Sequence, residues 1–317
     1  MKPRHGLVAG RFHPPHAGHH LLVRAAARSC ERVTVVVHPA PGERVAASLR
    51  AQWLREVHRD DANVSVVAGS DEPACDLRLC VETIGRGLVP LTSAAVRADP
   101  IAHWEALAGP VRAHLTRRLV LVGAESTGKT TLARELRDAL AARGGSFADT
   151  RWVPELGRDY TLELLAQARV RAAWRGEPMP GMAELVWASA DFSAIARAQN
   201  AHEERLARTG GPVLVCDTDT FATAVWHERY QGARSAELES LADARPRLYL
   251  LTHPDDVPFA ADEIRDGAHL RYWMTDVFQE RLRASPHRFE LLRGSRPERL
   301  AGALVALDGW LRDGFPL

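Results

Sequence analysis

Apolar residues along the chain fall into short unbroken runs separated by stretches with helical spacing. Gly6-Leu7-Val8-Ala9 reads as a buried strand, and Leu21, Leu22, Ala25 and Ala26 follow at helix period. Val33–Val37 is a second strand, Arg50–His58 a helix and Val64–Val67 a third strand. This β-α-β-α-β order predicts a doubly wound parallel sheet. Leu91–Arg97 reads as a helix start, with Thr92 or Ser93 as its cap, and Asp99–Thr116 as a helical connector. The alternation then starts afresh. Leu119–Val122 is a strand, and Leu132–Ala142 a helix stopped by Gly144-Gly145. Trp174–Gly181 is rich in proline and glycine and reads as a mobile loop, and Leu185–Leu206 as a long amphipathic helix. Its Trp187, Phe192 and Ile195 are expected to pack, as are Phe221, Trp226 and Tyr230. Strands at Val213–Cys216, Arg247–Leu251 and Phe289–Leu292 and a helix at Leu300–Leu311 complete the pattern. The expected fold is α/β, with two doubly wound parallel-sheet domains over 1–115 and 116–317.

The junction after Val122 carries the sharpest chemistry. Gly123-Ala124-Glu125-Ser126-Thr127-Gly128-Lys129-Thr130 lies between strand and helix, as a P-loop requires. Gly123 and Gly128 let the backbone curl so that N–H groups point at phosphate oxygens, and the helix adds its positive end. Lys129 would reach the β- and γ-phosphates of ATP, and the Thr130 hydroxyl suits Mg²⁺; Thr131 completes the segment. Lysine occurs elsewhere only as Lys2 in this arginine-rich chain. A compact ammonium at a phosphate cradle is not replaceable by an arginine fork. Val213–Cys216 runs into Asp217-Thr218-Asp219. A strand-end aspartate there orients Mg²⁺ as a Walker-B residue does; Asp217 is the choice for the metal shell. Asp219 would bind a substrate hydroxyl and act as base, or else cap the next helix. Asp262-Glu263-Ile264-Arg265-Asp266-Gly267 fits a lid, with Arg265, and Arg271 beyond it, swinging over the phosphates.

The first strand also runs into a phosphate-type motif, Gly10-Arg11-Phe12-His13-Pro14-Pro15-His16-Ala17-Gly18-His19. Imidazoles at His16 and His19, either side of a glycine at a helix start, can stabilise charge on a reacting phosphorus without being nucleophiles. Gly10 and Phe12 frame that site, which reads as a nucleotidyltransferase.

Composition narrows the partners. A formal net charge of +1 gives no field favouring nucleic acid or an acidic membrane, and no apolar run approaches a bilayer span. Cys30, Cys75, Cys80 and Cys216 have no metal-ligand spacing and read as buried hydrophobes in a reducing compartment. The N-terminus lacks the apolar core of a signal peptide. A cytoplasmic protein is expected.

The segments GRFHPPHAGHH, Arg50-Ala51-Gln52-Trp53-Leu54, TSAAVRADPIAHWEALAGPVRAHL and GAESTGKTT follow one another as in the NadR-type bifunctional family, which the chain resembles over nearly its whole length. That family joins a nicotinamide-mononucleotide adenylyltransferase to a ribosylnicotinamide kinase. The resemblance implies ATP and Mg²⁺ as cofactors, and nicotinamide riboside, nicotinamide mononucleotide and ATP as small-molecule substrates. It implies that Arg97 holds leaving phosphates in the first domain. In the second, it implies that Glu155 and Arg158, in a Glu-x-x-Arg segment, lie beside the kinase substrate, Glu155 on ribose hydroxyls and Arg158 on phosphate, where a plain surface pair is the alternative. It also implies aromatic stacking on nicotinamide. The helix-turn-helix segment of some members is missing from this sequence. The interval from Val67 to Thr92 is shorter than in the family, with Asp71 and Glu72 as remaining ribose ligands or surface residues. The first domain is therefore either a compact adenylyltransferase or a degenerate one. A P-loop kinase for another nucleoside or small alcohol, and a non-catalytic nucleotide sensor, are the rival readings.

Overall fold

The computed structural model describes residues 2–80, 85–88, 90–242, 245–255, 257–262, 265 and 267–317. Two compact units result: Met1–Leu115 with Gly314–Leu317, and Thr116–Asp313. The expected second segment, 116–317, therefore loses its last four residues to the first unit. Phe315 lies against Trp104 there, ring centroids 6.2 Å apart, in a cluster with Val45, Trp53 and Val96.

The first unit runs β1 (His5–Gly10), α1 (Ala17–Ser29), β2 (Arg32–Val37), α2 (Ala47–Val57), β3 (Val64–Ala68), β4 (Leu77–Leu79), α3 (Ser93–Ala98) and α4 (Gly109–Leu115). The sheet order is β3-β2-β1-β4, every pair parallel. Val33, Val35 and Val37 of β2 are buried with Val8, Leu22, Val23 and Leu54, so the apolar run of β2 is explained by cover on its face. β4 is too short to show a period in the sequence; it is recognisable only by its pairing with Gly6–Val8. The strand order switches sides at β1, which has β2 on one flank and β4 on the other. Parallel sheets bind ligands at the carboxyl ends of the strands at such a point, and the His16-Ala17-Gly18-His19 motif follows β1 there. Asp99–Thr116 is a single turn, Trp104–Ala106, and then α4, rather than one connector helix.

The second unit runs β5 (Arg117–Val122), α5 (Lys129–Ala141), β6 (Arg151–Val153), α6 (Leu156–Arg175), α7 (Ser189–Thr209), β7 (Val213–Asp217), α8 (Thr220–Gln231), α9 (Ala236–Leu241), β8 (Arg247–Thr252), α10 (Arg271–Arg283), β9 (Arg288–Leu292) and α11 (Arg296–Arg312). Its parallel sheet has the order β6-β7-β5-β8-β9. All six residues of the central β5 are buried, and Leu119 and Leu121 pack with Leu136, Leu140, Val215, Leu250 and Leu307. The proline- and glycine-rich stretch begins later than expected. Trp174 and Arg175 still belong to α6, which stops where Gly176 takes φ 68°. α7 spans Ser189–Thr209 rather than Leu185–Leu206, so Trp187 precedes it.

Cys30 and Cys216 are buried, whereas Cys75 is half-buried and Cys80 exposed. Among the described residues no helix is long and apolar enough to cross a membrane.

Candidate phosphate and substrate site

In the second unit the loop after β5 crosses β8 closely. A Cβ on Gly123, at φ 142°, would lie 2.6 Å from Thr252 Oγ1 and 2.8 Å from the Thr252 carbonyl oxygen, so the crossing requires glycine. Thr127 Oγ1 and Thr252 Oγ1, 2.7 Å apart, tie loop to strand. The Lys129 ammonium is buried and donates to the carbonyls of Gly123 (3.0 Å) and Ala124 (2.8 Å). It is thus held over the loop by the loop's own start. Glu125, Ser126, Thr127, Gly128, Lys129, Thr130 and Thr131 line one side of a cavity of about 320 Å³.

Pairing of β5 with β7 sets Asp217 opposite Leu121, one residue before the end of β5. Both carboxylate oxygens of Asp217 are buried without a hydrogen-bond partner. Burial raises its pKa, and the Lys129 charge pulls the other way.

Of the two roles expected of Asp219, the structure shows the helix cap. Thr218 takes φ 74°, which turns the chain out of the strand, and Asp219 becomes the N-cap of α8. Its carboxylate accepts from Ala222 N (3.1 Å) and Tyr249 OH (2.7 Å), with Arg247 at 3.5 Å. Arg247 and Arg118 both reach Glu203, at 2.9 and 3.4 Å. Asp219 thus faces a buried charged network instead of the cavity, and the hydroxyl-binding base role expected of it has no geometry here. Thr218, between the two aspartates, does line the cavity.

The opposite side of the cavity is built from α6, α7 and α8. Glu155 is the N-cap residue of α6, and with Gly157, Arg158 and Thr161 it lines the floor. Burial raises the Glu155 pKa, Lys129 opposes the shift, and Asp217 adds to it. Trp187, Phe192 and Ile195, expected to pack, form the wall with Trp226 and Tyr230, for which stacking on nicotinamide was the alternative to packing; Trp187 and Tyr230 are stacked at 5.3 Å and 28°. Trp226 and Tyr230 stand four residues apart on α8, a spacing that puts both on one face and was the signal available in the sequence. Gln199 gave no signal; it lines the cavity, and its side-chain oxygen is buried without a partner. Phe221 keeps to packing, 5.1 Å from Tyr249.

Of the lid segment, Glu263, Ile264 and Asp266 lie outside the described residues. Arg265 lines the cavity and donates to Ala260 O (2.8 Å). Arg158, also at the cavity, pairs with Asp262 (2.8 Å). Arg271 does not swing: it is buried and donates to the carbonyls of Ser126 (2.9 Å), Val257 (2.9 Å) and Pro254 (3.3 Å). It acts as a strap between the lid segment and the phosphate loop.

In the first unit His16 is the N-cap of α1. Its Nδ1 accepts from Gly18 N (3.2 Å), and His19 Nδ1 accepts in turn from His16 N (3.2 Å). Accepting at Nδ1 places the ring proton on Nε2 in both, so each presents a neutral N–H donor. Burial, with His103 adding, holds His16 down to about 4; burial, then His16 and His20, hold His19 well below its ordinary range. Phe12, at φ 47°, is buried beside His19, with Gly10 packed under its ring. Arg97 donates to His13 O, and Ser93 to Pro14 O (3.2 Å), so α3 clamps the motif's loop. Asp71 is exposed, and Glu72 pairs with Arg78 and with His38 (3.1 Å). Glu43 was not foreseen; its carboxylate binds Arg11 and the fully buried Arg50.

These histidines make the first unit acid-sensitive. His16 and His20 fall to about 4 and about 3, both from burial first, against an unfolded value of 6.5. The unfolded chain therefore binds more protons below pH 6.5, and stability present above that pH is lost as pH falls toward 4. Thermal melts across pH 7 to 4 should show this loss, and His20→Asn should reduce it.

Strand, glycine-bearing loop, helix start and buried lysine define a P-loop nucleotide-binding protein, here following a Rossmann-like unit with a His-x-Gly-His motif. The chain belongs to the AAA domain family, which matches residues 118–299. It is also similar to the trifunctional NAD biosynthesis/regulator protein NadR of Salmonella typhimurium and that of Escherichia coli. Each is 20% identical over 314 residues, covering 82% of this chain and 71% of the relative. Among solved structures, NadR protein in complex with NR superposes with a TM-score of 0.69 at 19% identity, over 98% of this chain and 96% of that one. NadR protein in complex with NAD and AMP-PNP gives 0.69 at 18% identity, over 97% and 96%. The shared fold is thus that of NadR over both units.

Proposed function

We propose that this chain is a ribosylnicotinamide kinase, transferring the γ-phosphoryl of ATP to the ribose 5′-hydroxyl of nicotinamide riboside. One observation carries the reading: a single cavity has the phosphate loop on one side and a wall of flat aromatic rings on the other. A nucleoside with its hydroxyl toward Lys129 and its base against Trp187, Trp226 and Tyr230 fits that polarity. The NadR structures with NR and with NAD and AMP-PNP support it.

The parts divide as follows. The N–H groups of 123–131 hold the ATP phosphates. Lys129, held on its two loop carbonyls, turns its third N–H to the charge on the transferring oxygens, and Arg265 closes from the lid. Glu155 accepts from a ribose hydroxyl, and its raised pKa suits it to take a proton; Arg158 exchanges Asp262 for the substrate side. The unpartnered oxygens of Asp217 and the Thr130 hydroxyl fit Mg²⁺. Among the described residues no cluster of three or more His, Cys, Asp or Glu competes as a metal site. Bound there, Mg²⁺ supplies charge neutralisation between the phosphates. Transfer then needs positioning and electrostatics, with no covalent enzyme intermediate.

For the first unit, the paired Nε2–H donors of His16 and His19 favour a second activity. This is attack of the mononucleotide phosphate on the α-phosphorus of ATP, expelling pyrophosphate and giving NAD. Arg97, bonded to the loop carbonyl of His13, would have to turn outward to hold that pyrophosphate.

The test is a nucleoside panel with ATP·Mg²⁺, reading mononucleotide formation and, in the same reactions, pyrophosphate release. Nicotinamide riboside should be the preferred acceptor. Loss of one stacking ring costs about 1–3 kcal/mol, so Tyr230→Ala should raise its KM by ~5- to 150-fold. Preference for another nucleoside replaces the substrate assignment. ATP binding without any phosphorylation makes the protein a sensor.

A further inference from the structure

The phosphate loop holds an acid where an anion is to bind. Glu125 lies in the loop and lines the cavity, yet its two oxygens are taken by two different elements. One accepts from Arg229 Nη1 at 3.2 Å, and the other from the Gly267 backbone N–H at 2.8 Å. Both side chains are largely buried, 5% exposed for Arg229 and 13% for Glu125. Arg229 also lies over two rings of the cavity wall, 5.1 Å from the centroid of Trp226 and 4.8 Å from that of Tyr230. Gly267 comes in so closely that a Cβ there would sit 2.8 Å from Glu125 Oε2 and 2.9 Å from Arg229 Nη1. Phosphate loop, lid segment and aromatic wall therefore meet at one carboxylate.

We propose that Glu125, Arg229 and Gly267 form a latch that couples occupancy of the aromatic wall to occupancy of the phosphate loop, with Arg229 as its positioning residue. The physical content is direct. Arg229 offsets the negative charge of Glu125, which would otherwise repel a triphosphate. The guanidinium is held in place by the two rings, so a base that orders Trp226 and Tyr230 also orders Arg229. An ordered Arg229 fixes Glu125, and Glu125 holds the Gly267 amide beside the phosphate loop. Each ligand then binds better when the other is present, and by the same factor in both directions. This inference rests on the kinase reading for what fills the cavity, while the latch contacts stand apart from it.

Two measurements on the whole chain test it. The first is amide exchange at Gly267 without ligand; Arg229→Gln and the near-isosteric Glu125→Gln should each speed it, and the double variant should go no further than the singles. The second is the affinity for nicotinamide riboside with and without AMP-PNP and Mg²⁺. The analogue should tighten nucleoside binding by about tenfold in the wild type, and by less than twofold in either variant. In turnover, Arg229→Gln should raise the nucleoside KM at saturating ATP far more than it lowers kcat, which a merely structural loss would not do. Unchanged Gly267 exchange in both variants, or tenfold coupling surviving in both, overturns the latch. A wild type that binds AMP-PNP but not nicotinamide riboside overturns the substrate reading instead; faster Gly267 exchange in the variants would still support the latch.

Discussion

Lys129→Ala is expected to lower kcat for phosphoryl transfer by about 10³-fold or more, a loss of the size seen when a group facing transition-state charge is removed. The side chain is buried and anchored on Gly123 and Ala124, so its charge is already in place before phosphate arrives. Removing it leaves the backbone cradle intact, and ATP should still bind, more weakly. Lys129→Arg should not restore the rate: the planar fork cannot occupy a point between two carbonyls 3.0 and 2.8 Å from one ammonium nitrogen. Steady-state assays with nicotinamide riboside and ATP, alongside a nucleotide-binding titration, check both statements. Full activity in Lys129→Ala would remove the phosphate-loop assignment.

Asp217→Asn should move activity and stability in opposite directions. Phosphoryl transfer should fall by roughly 10²- to 10³-fold, because the amide cannot supply the anionic oxygen that holds the metal and its waters. Stability without ligands should rise. The native carboxylate is buried with both oxygens unpartnered, and burial raises its pKa, so the fold disfavours its ionised form. A carboxyl with a raised folded pKa removes stability as pH climbs through that range, and a neutral isostere relieves the cost. Relief of about 1–3 kcal/mol is the scale of a buried unsatisfied group. The melting temperature of the second unit should increase by several degrees, and added Mg²⁺ should narrow the gap only in the wild type. Equal or lower stability in Asp217→Asn would show that Asp217 is held by native contacts rather than left open for a ligand.

What could be read before the fold was known follows from the range of each signal. Strands β1, β2, β5, β7 and β8 announce themselves as unbroken apolar runs, since parallel strands are covered on both faces. The phosphate loop and the His16–His19 motif are local, so their residues stand next to each other in the chain. β4 and β6 are three residues each and owe their existence to a neighbour, Gly6–Val8 for one and Leu214–Cys216 for the other. The cavity wall was hidden for a related reason. Trp187, Trp226 and Tyr230 look like core residues from their surroundings in the chain, and only the approach of α7 and α8 to the phosphate loop gives them a second face. Asp219 misled because the sequence shows two equivalent acids, Asp217 and Asp219, whereas the positive φ of Thr218 sends them to different places.

The tail that packs Phe315 against Trp104 has a temporal consequence during synthesis. Residues 314–317 leave the ribosome only after the entire second unit has emerged, so the first-made of these two units is sealed after the other has been synthesised. Its Trp104 cluster waits, incompletely covered, while roughly two hundred further residues are polymerised over tens of seconds. A nascent chain stalled or cleaved before Gly314 would expose that surface to chaperones and to aggregation.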